Sequence, residues 1–147
     1  MTKFKFRLQN LLDIRLHKEE ESKIEFKKAQ DDKILSEEKL KSLKINYDKY
    51  SSTLYKGSIV EQKIAQAYLN SLTLCIDETI EEINNKSVVL EEKRDELKKK
   101  QVERKTVEIL KEKQKSAFEK EQNQIEQIAN DEFALYGFMR NFERRWE

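Results

Sequence analysis

The chain has no proline, and its 147 residues include only two glycines, Gly57 and Gly137. That is too little punctuation for the many turns of a stranded fold. Cys75 is the only cysteine, so no intramolecular disulfide can form; it reads more simply as a small buried apolar residue than as a reactive thiol. The lone histidine, His17, has no cysteine or second histidine at metal-ligand spacing. No apolar run approaches the ~20 residues of a membrane span, and none follows Lys3, Lys5 and Arg7 to make a secretory signal. Glycine-rich phosphate loops and nucleophile elbows are missing too. The expectation is a cytosolic protein that is not an enzyme and takes no cofactor, metal or small-molecule substrate. Nucleic acid is not an expected partner either, because lysines are interleaved with glutamates along most of the chain. The N-terminal end is the exception: there Lys3, Lys5, Arg7, Arg15 and Lys18 face only Asp13.

What remains is an alphabet of Lys, Glu, Leu, Ile and Gln. Charged residues make up 40% of the chain, yet the net charge is only +1. High charge with low hydropathy also marks disorder, but the near-zero net charge and the periodic apolar residues favour long helices. The expected fold is all-α: two long helices in an antiparallel coiled-coil hairpin, the second helix longer than the first, in a single domain over 1–147. The first arm covers about 4–55, the turn about 56–59 and the second arm about 60–145.

The first arm shows Leu40, Leu43, Tyr47, Tyr50 and Leu54 in alternating steps of three and four, the seam of a coiled coil. Upstream the seam weakens: Phe26 and Ala29 fit it, but Ser22, Lys33 and Ser36 also fall on it. Acid-to-base pairs one turn apart, Glu19 with Lys23 and Glu37 with Lys41, suit an exposed face. Gly57 can take the left-handed geometry that ends a helix, and Ser58 with Glu61 makes a capping box for the next one. In the second arm the stripe reads Leu69, Leu72, Ile76, Ile80, Ile83, Ser87, Leu90, Arg94 and Leu97. Farther on it continues through Phe118, Glu121, Ile125, Ile128, Glu132, Leu135, Met139, Phe142 and Trp146.

Folding at Gly57 sets Phe4 opposite about Leu110. At ~1.5 Å per residue the first arm is ~75 Å long and the second up to ~130 Å. The end of the second arm therefore overhangs or folds back, and an uncovered apolar stripe implies a partner.

Three stretches in order carry a resemblance. "FKFRLQNLLDIRLHKEEESKIEF" opens the chain, "GSIVEQKIAQAYLNSL" follows the turn, and "IEQIANDEFALYGFMR" lies near the end. Together they resemble the FliJ family, the coiled-coil stalk proteins of the bacterial flagellar type III export apparatus; the stalks of injectisome systems are similar. The resemblance implies a non-catalytic stalk and coupling component. Its chain ends insert into the hexameric flagellar export ATPase and promote its activity, while its hairpin end contacts the cytoplasmic domain of the export gate. Export chaperones are a further implied partner. The protein would then be cytoplasmic and peripherally associated with the inner membrane through the export apparatus.

On that resemblance the ATPase-binding residues are Phe4, Phe6, Arg7, Leu8, Leu11 and Arg15 from the first arm. From the second they are Phe138, Met139, Arg140, Phe142, Arg144, Arg145 and Trp146. Aromatics and arginines are the side chains that anchor interfaces. The gate-binding residues carried over by position are Leu43, Tyr47, Tyr50, Leu54, Tyr68, Leu72, Cys75 and Thr79. For Leu43, Tyr47, Tyr50 and Leu54 two readings stand side by side, partner contact and seam core. Two alternatives to the stalk also stand: a free-standing structural coiled coil, and a holdase or escort chaperone for export substrates. Prefoldin-like holdases normally carry a β-hairpin between their helices, and nothing in this sequence reads as strand.

Overall fold

The structure, a computed structural model, describes residues 3–145. Two helices account for most of them, α1 at Gln9–Ser51 and α2 at Ile59–Glu143. Among the described residues there is no strand. The expected all-α fold with a longer second helix is what the chain adopts. Among the described residues, no helix is long and apolar enough to cross a membrane.

α1 begins at Gln9 and not near Phe4. The reason is legible in Lys3-Phe4-Lys5-Phe6-Arg7, which alternates with period two. In a helix Phe4 and Phe6 would project to opposite faces. Outside the helix both turn inward: Phe6 is buried and Phe4 half-buried, while Lys3, Lys5 and Arg7 are exposed. A turn at Arg7 and Leu8 then leads into the helix, with the Gln9 amide donating to the Phe6 carbonyl at 3.3 Å.

The chain divides into two compact units. One groups the residues up to Leu16 with those from Val102 onward; the other is His17–Gln101.

In the second unit the helices run antiparallel. Each step up α1 is matched by a step down α2, from Glu25 beside Lys93, through Ser36 beside Glu82, to Tyr50 beside Tyr68. The turn between them starts earlier than Lys56. The hydroxyls of Ser51, Ser52 and Thr53 donate back to the carbonyls of Asp48, Lys49 and Tyr50 at 3.0, 2.7 and 2.9 Å. Such local bonds compete with continued helix, and the backbone tightens to three-residue steps at Thr53, Leu54 and Lys56. Gly57 then takes a φ of 106°, which a residue with a side chain rarely adopts. The expected capping box closes the turn: the Ser58 amide donates to Glu61 Oε2 at 2.8 Å, and the Glu61 amide to Ser58 Oγ at 3.3 Å.

The seam of this unit buries Leu69, Leu72, Thr79 and Leu90 on α2, and Glu19, Ser22 and Ser36 on α1. Thr79 takes the place expected for Ile80, which is 39% exposed, and half-buried Lys93 takes the place expected for Arg94. Strict alternation of three and four from Leu72 and Ile76 leads to Thr79; following the apolar letters skips it. Its hydroxyl is satisfied by the Cys75 carbonyl at 2.7 Å, so its burial leaves no unpaired donor. Between Glu19 and Ser36 polar residues interrupt the seam, alternating with half-buried Phe26 and Ala29. Lys86 Nζ crosses it to donate to Ser36 Oγ at 2.7 Å and the Asp32 carbonyl at 3.3 Å, and pairs with Glu82 at 2.9 Å.

The first unit has its own small core of Phe6, Leu12 and Val107, with Phe4 and Leu11 packed against it. Arg15 donates to the Glu103 carbonyl at 2.7 Å and Lys111 to Gln9 Oε1 at 2.8 Å. The Phe4 ring meets Phe118 with centroids 5.8 Å apart. Phe4 thus reaches farther along α2 than Leu110, because the turn consumes residues and the stretch before Gln9 is not wound into helix. The residues of α2 beyond Phe118 have no α1 residue left to pair with.

Candidate interaction surfaces

The last turns of α2 form the larger surface. From Glu119 to Arg145 every residue is exposed except half-buried Gln122 and Ala129. Phe138 and Phe142 stack one helical turn apart, with centroids 6.2 Å apart and planes at 25°. With Asn141 and Arg145 they line a concavity of about 540 Å³. Met139, Arg140, Arg144 and Arg145 are exposed around them. Trp146, expected beside them, lies outside the described residues. Phe133, Leu135 and Tyr136 add to this surface, at 74%, 58% and 63% exposure. Phe133 and Tyr136 were not among the expected contacts; being off the seam, they gave a periodicity count no reason to single them out.

The N-terminal candidates divide. Phe6 is buried in the unit's own core, and Phe4 and Leu11 pack against it. Arg15 is half-buried with its guanidinium on the Glu103 carbonyl. Arg7 and Leu8 face solvent. These phenylalanines therefore brace α2 within the molecule and offer a partner little surface.

A second surface lies at the hairpin end of the other unit. Tyr50 and Tyr68 meet edge to face, centroids 4.8 Å apart and planes at 74°. Together with Glu61, Ile64 and Ala65 they line a concavity of about 420 Å³. Tyr47, Tyr50, Tyr68 and Cys75 are exposed, Leu43 and Leu54 half-buried, and Leu72 and Thr79 buried in the seam. Leu72 and Thr79 thus sit in the core of the seam, whereas the tyrosines show edges to solvent. Ile64 is 66% exposed beside them; its place one residue from the seam gave only a weak signal.

Two charged groups with displaced titration, Glu82 and Lys93, lie along the polar part of the seam, away from these surfaces. Glu82 is held below the ordinary carboxylate value, first by the hydrogen bond from Lys86 and then by that from Ser36. Lys93 is raised, chiefly by its hydrogen bond to Glu25. Such exposed pairs tune register and solubility, and they are not the buried couples that acid–base catalysis uses. Among the described residues, no three His, Cys, Asp or Glu side chains cluster as a metal site would require.

A family model described as "Flagellar FliJ protein" matches residues 4–143, nearly the whole chain. The chain belongs to the flagellar FliJ family. Membership implies an export-related stalk protein, from a family of structural components of flagellar export. No curated protein and no solved structure matches the chain.

Proposed function

We propose that the chain is the stalk and coupling component of flagellar type III export, engaging the hexameric export ATPase through the end of α2 and the export gate through its hairpin end. The observation that carries this reading is the uncovered stripe beyond Phe118. Its aromatic and arginine side chains combine large apolar area with directional hydrogen bonding, the composition of binding hot spots. Phe138, Met139, Arg140, Phe142, Arg144 and Arg145 form the ATPase contact, joined by Trp146, Phe133 and Tyr136. Arg7 and Leu8 flank it, while Phe4, Phe6 and Leu11 hold α2 in place. Positive charge at Lys3, Lys5, Arg7 and the three C-terminal arginines steers the stalk toward a carboxylate-lined pore, so association slows as salt rises. At the hairpin end, Tyr47, Tyr50, Tyr68 and Ile64 make the gate contact over a base of Leu72 and Thr79. Export chaperones are secondary partners, and the protein sits in the cytoplasm against the export apparatus at the inner membrane.

The test is deletion of residues 138–147 followed by measurement of ATPase stimulation. Helix content is expected to stay near that of the full chain apart from the removed turns, because residues 138–145 are all exposed, while stimulation is lost. Full stimulation by the truncated chain overturns the assignment of this end.

A further inference from the structure

The uncovered end of α2 has an internal order that the stalk reading does not use. Its first half is acidic: Glu119, Glu121, Glu126, Asp131 and Glu132 stand against Lys120 alone. Its second half carries Arg140, Arg144 and Arg145 against Glu143. The apolar stripe is graded in the same sense. Ile125 and Ile128 lie in the acidic half, and the longer Met139 and Phe142 in the basic half, all of them between 52% and 60% exposed.

We propose that this segment is self-complementary, and that the free chain pairs with a second copy of itself through residues 119–145, the end of α2 and the turn after it, the two helices running antiparallel about a two-fold axis. Antiparallel pairing sets Ile125 against Phe142 and Ile128 against Met139 of the second copy, so each layer joins one medium and one large side chain. It also lays the arginines of each copy along the acidic half of the other. Parallel pairing does the opposite: acidic half meets acidic half, Phe142 meets Phe142, and the arginines repel. Near the axis Glu132 meets Leu135 of the second copy, and a polar residue at such a layer fixes register at some cost in stability. Of the charges in the segment, the ion pair from Lys115 to Glu119, at 3.8 Å and exposed on both sides, is weak enough to yield. The interface is isologous, so it closes at two chains and does not propagate into filaments. Met139, Phe142 and the three arginines are also among the residues proposed above for the ATPase, so dimer and ATPase complex exclude one another; the pairing itself stands whether or not that reading holds.

Sedimentation equilibrium on the full chain alone tests it. The apparent mass is expected to rise with concentration from one 17.7 kDa chain toward two, and to fall back as salt is added. The triple variants R140E/R144E/R145E and E119K/E121K/E126K should each weaken self-association by about tenfold or more. Mixing the two should restore a heterodimer, because each supplies the charge that the other lacks. Ile128→Asp, which removes an apolar layer without touching the arginines, should also give monomers; circular dichroism checks that each variant is still helical. A chain that is monomeric at every concentration overturns the proposal. So does self-association that survives either charge reversal unchanged, or that persists after residues 119–147 are deleted.

Discussion

Two stretches of α2 carry the same heptad stripe and meet opposite fates. Around Leu69 and Leu72 the stripe is 4% and 5% exposed; around Leu135 and Phe142 it is 58% and 53% exposed. The helix geometry is the same in both. What differs is the presence of α1, whose Tyr50 meets Tyr68 in the first stretch and which has no residue left for the second. Periodicity states which face of a helix must be buried, but it does not state by what. Where the partner lies in the same chain, the face becomes core; where it does not, the same pattern becomes a binding surface.

The largest expected contrast comes from truncating one leucine in each stretch. Leu72→Ala should cost about 2–4 kcal/mol in thermal or denaturant unfolding, the range for opening a cavity in a packed seam. Leu135→Ala should stay within about 0.5 kcal/mol, as exposed substitutions do, when measured at concentrations where the chain is monomeric. Equal costs would mean that the end of α2 has a cover of its own, and the contrast would dissolve.

On the stalk reading, Tyr50→Ala with Tyr68→Ala removes about 2 kcal/mol or more of affinity for the gate and leaves the ATPase complex intact, as two binding assays would show. If the double variant instead unfolds the hairpin, those tyrosines belong to the covered stretch.

Gly57→Ala strikes the turn that brings α1 over α2. A side chain there meets both a left-handed φ and the Glu61 carboxylate, since the added carbon falls on Glu61 Oε2. A loss of about 1–2 kcal/mol is expected. Ser58→Ala should cost about 1 kcal/mol through the cap. Hydrogen exchange should quicken near Leu69 in both variants and stay unchanged near Leu135; equal quickening at both places would contradict the division.

Gly137 offers a gain of stability. Nothing lies within 4 Å of the space a methyl group would fill, so Gly137→Ala should stabilise the helix by about 0.5–1 kcal/mol. A simultaneous loss of partner binding would locate a close approach at that turn.

The smallest effect is a pH dependence in the polar part of the seam. Glu82 has its folded-state value depressed below 4.5 by Lys86. Its contribution to stability is therefore present above 4.5 and fades as the pH falls through the lower folded value. Lys86→Met should flatten that acid-side decline in a series of melts, and an unchanged slope would show that the bridge is idle.

Much of this was open to reading in the letters. Gly57, Ser58 and Glu61 announce a glycine stop and a capping box, because a cap is a local device and needs no tertiary context. The heptad stripe through Leu69 and Leu72 is equally plain. The start of α1 is less plain, because Phe4, Phe6 and Leu8 continue an apolar stripe by letter while their alternation with Lys3, Lys5 and Arg7 has period two. Thr79 was displaced by Ile80, since an apolar letter attracts the count even where the geometry selects a hydroxyl that can bond to Cys75. The candidate surfaces were legible only in part. The Phe138 and Phe142 pair stands out in the sequence, yet nothing there separates Phe6, buried on Leu12 and Val107, from an anchor held out to a partner. Burial of that kind depends on residues a hundred positions apart along the chain.

The polar layers between the helices bear on how such a protein can change length over generations. Along α2 the lysines Lys86, Lys93 and Lys100 recur at heptad steps; along α1, Ser36, Ala29 and Ser22 recur at the same steps in the opposite direction. Lys86 bonds to Ser36, and Lys100 shares a concavity with Ser22. An insertion of any other size in one helix would swing a lysine onto an apolar neighbour and turn a serine outward. Descendants with a longer hairpin should therefore differ by whole heptads gained in both helices together. Single-residue gains and losses should collect where no layer is matched, in the turn around Lys56 and in the end of α2 beyond Phe118.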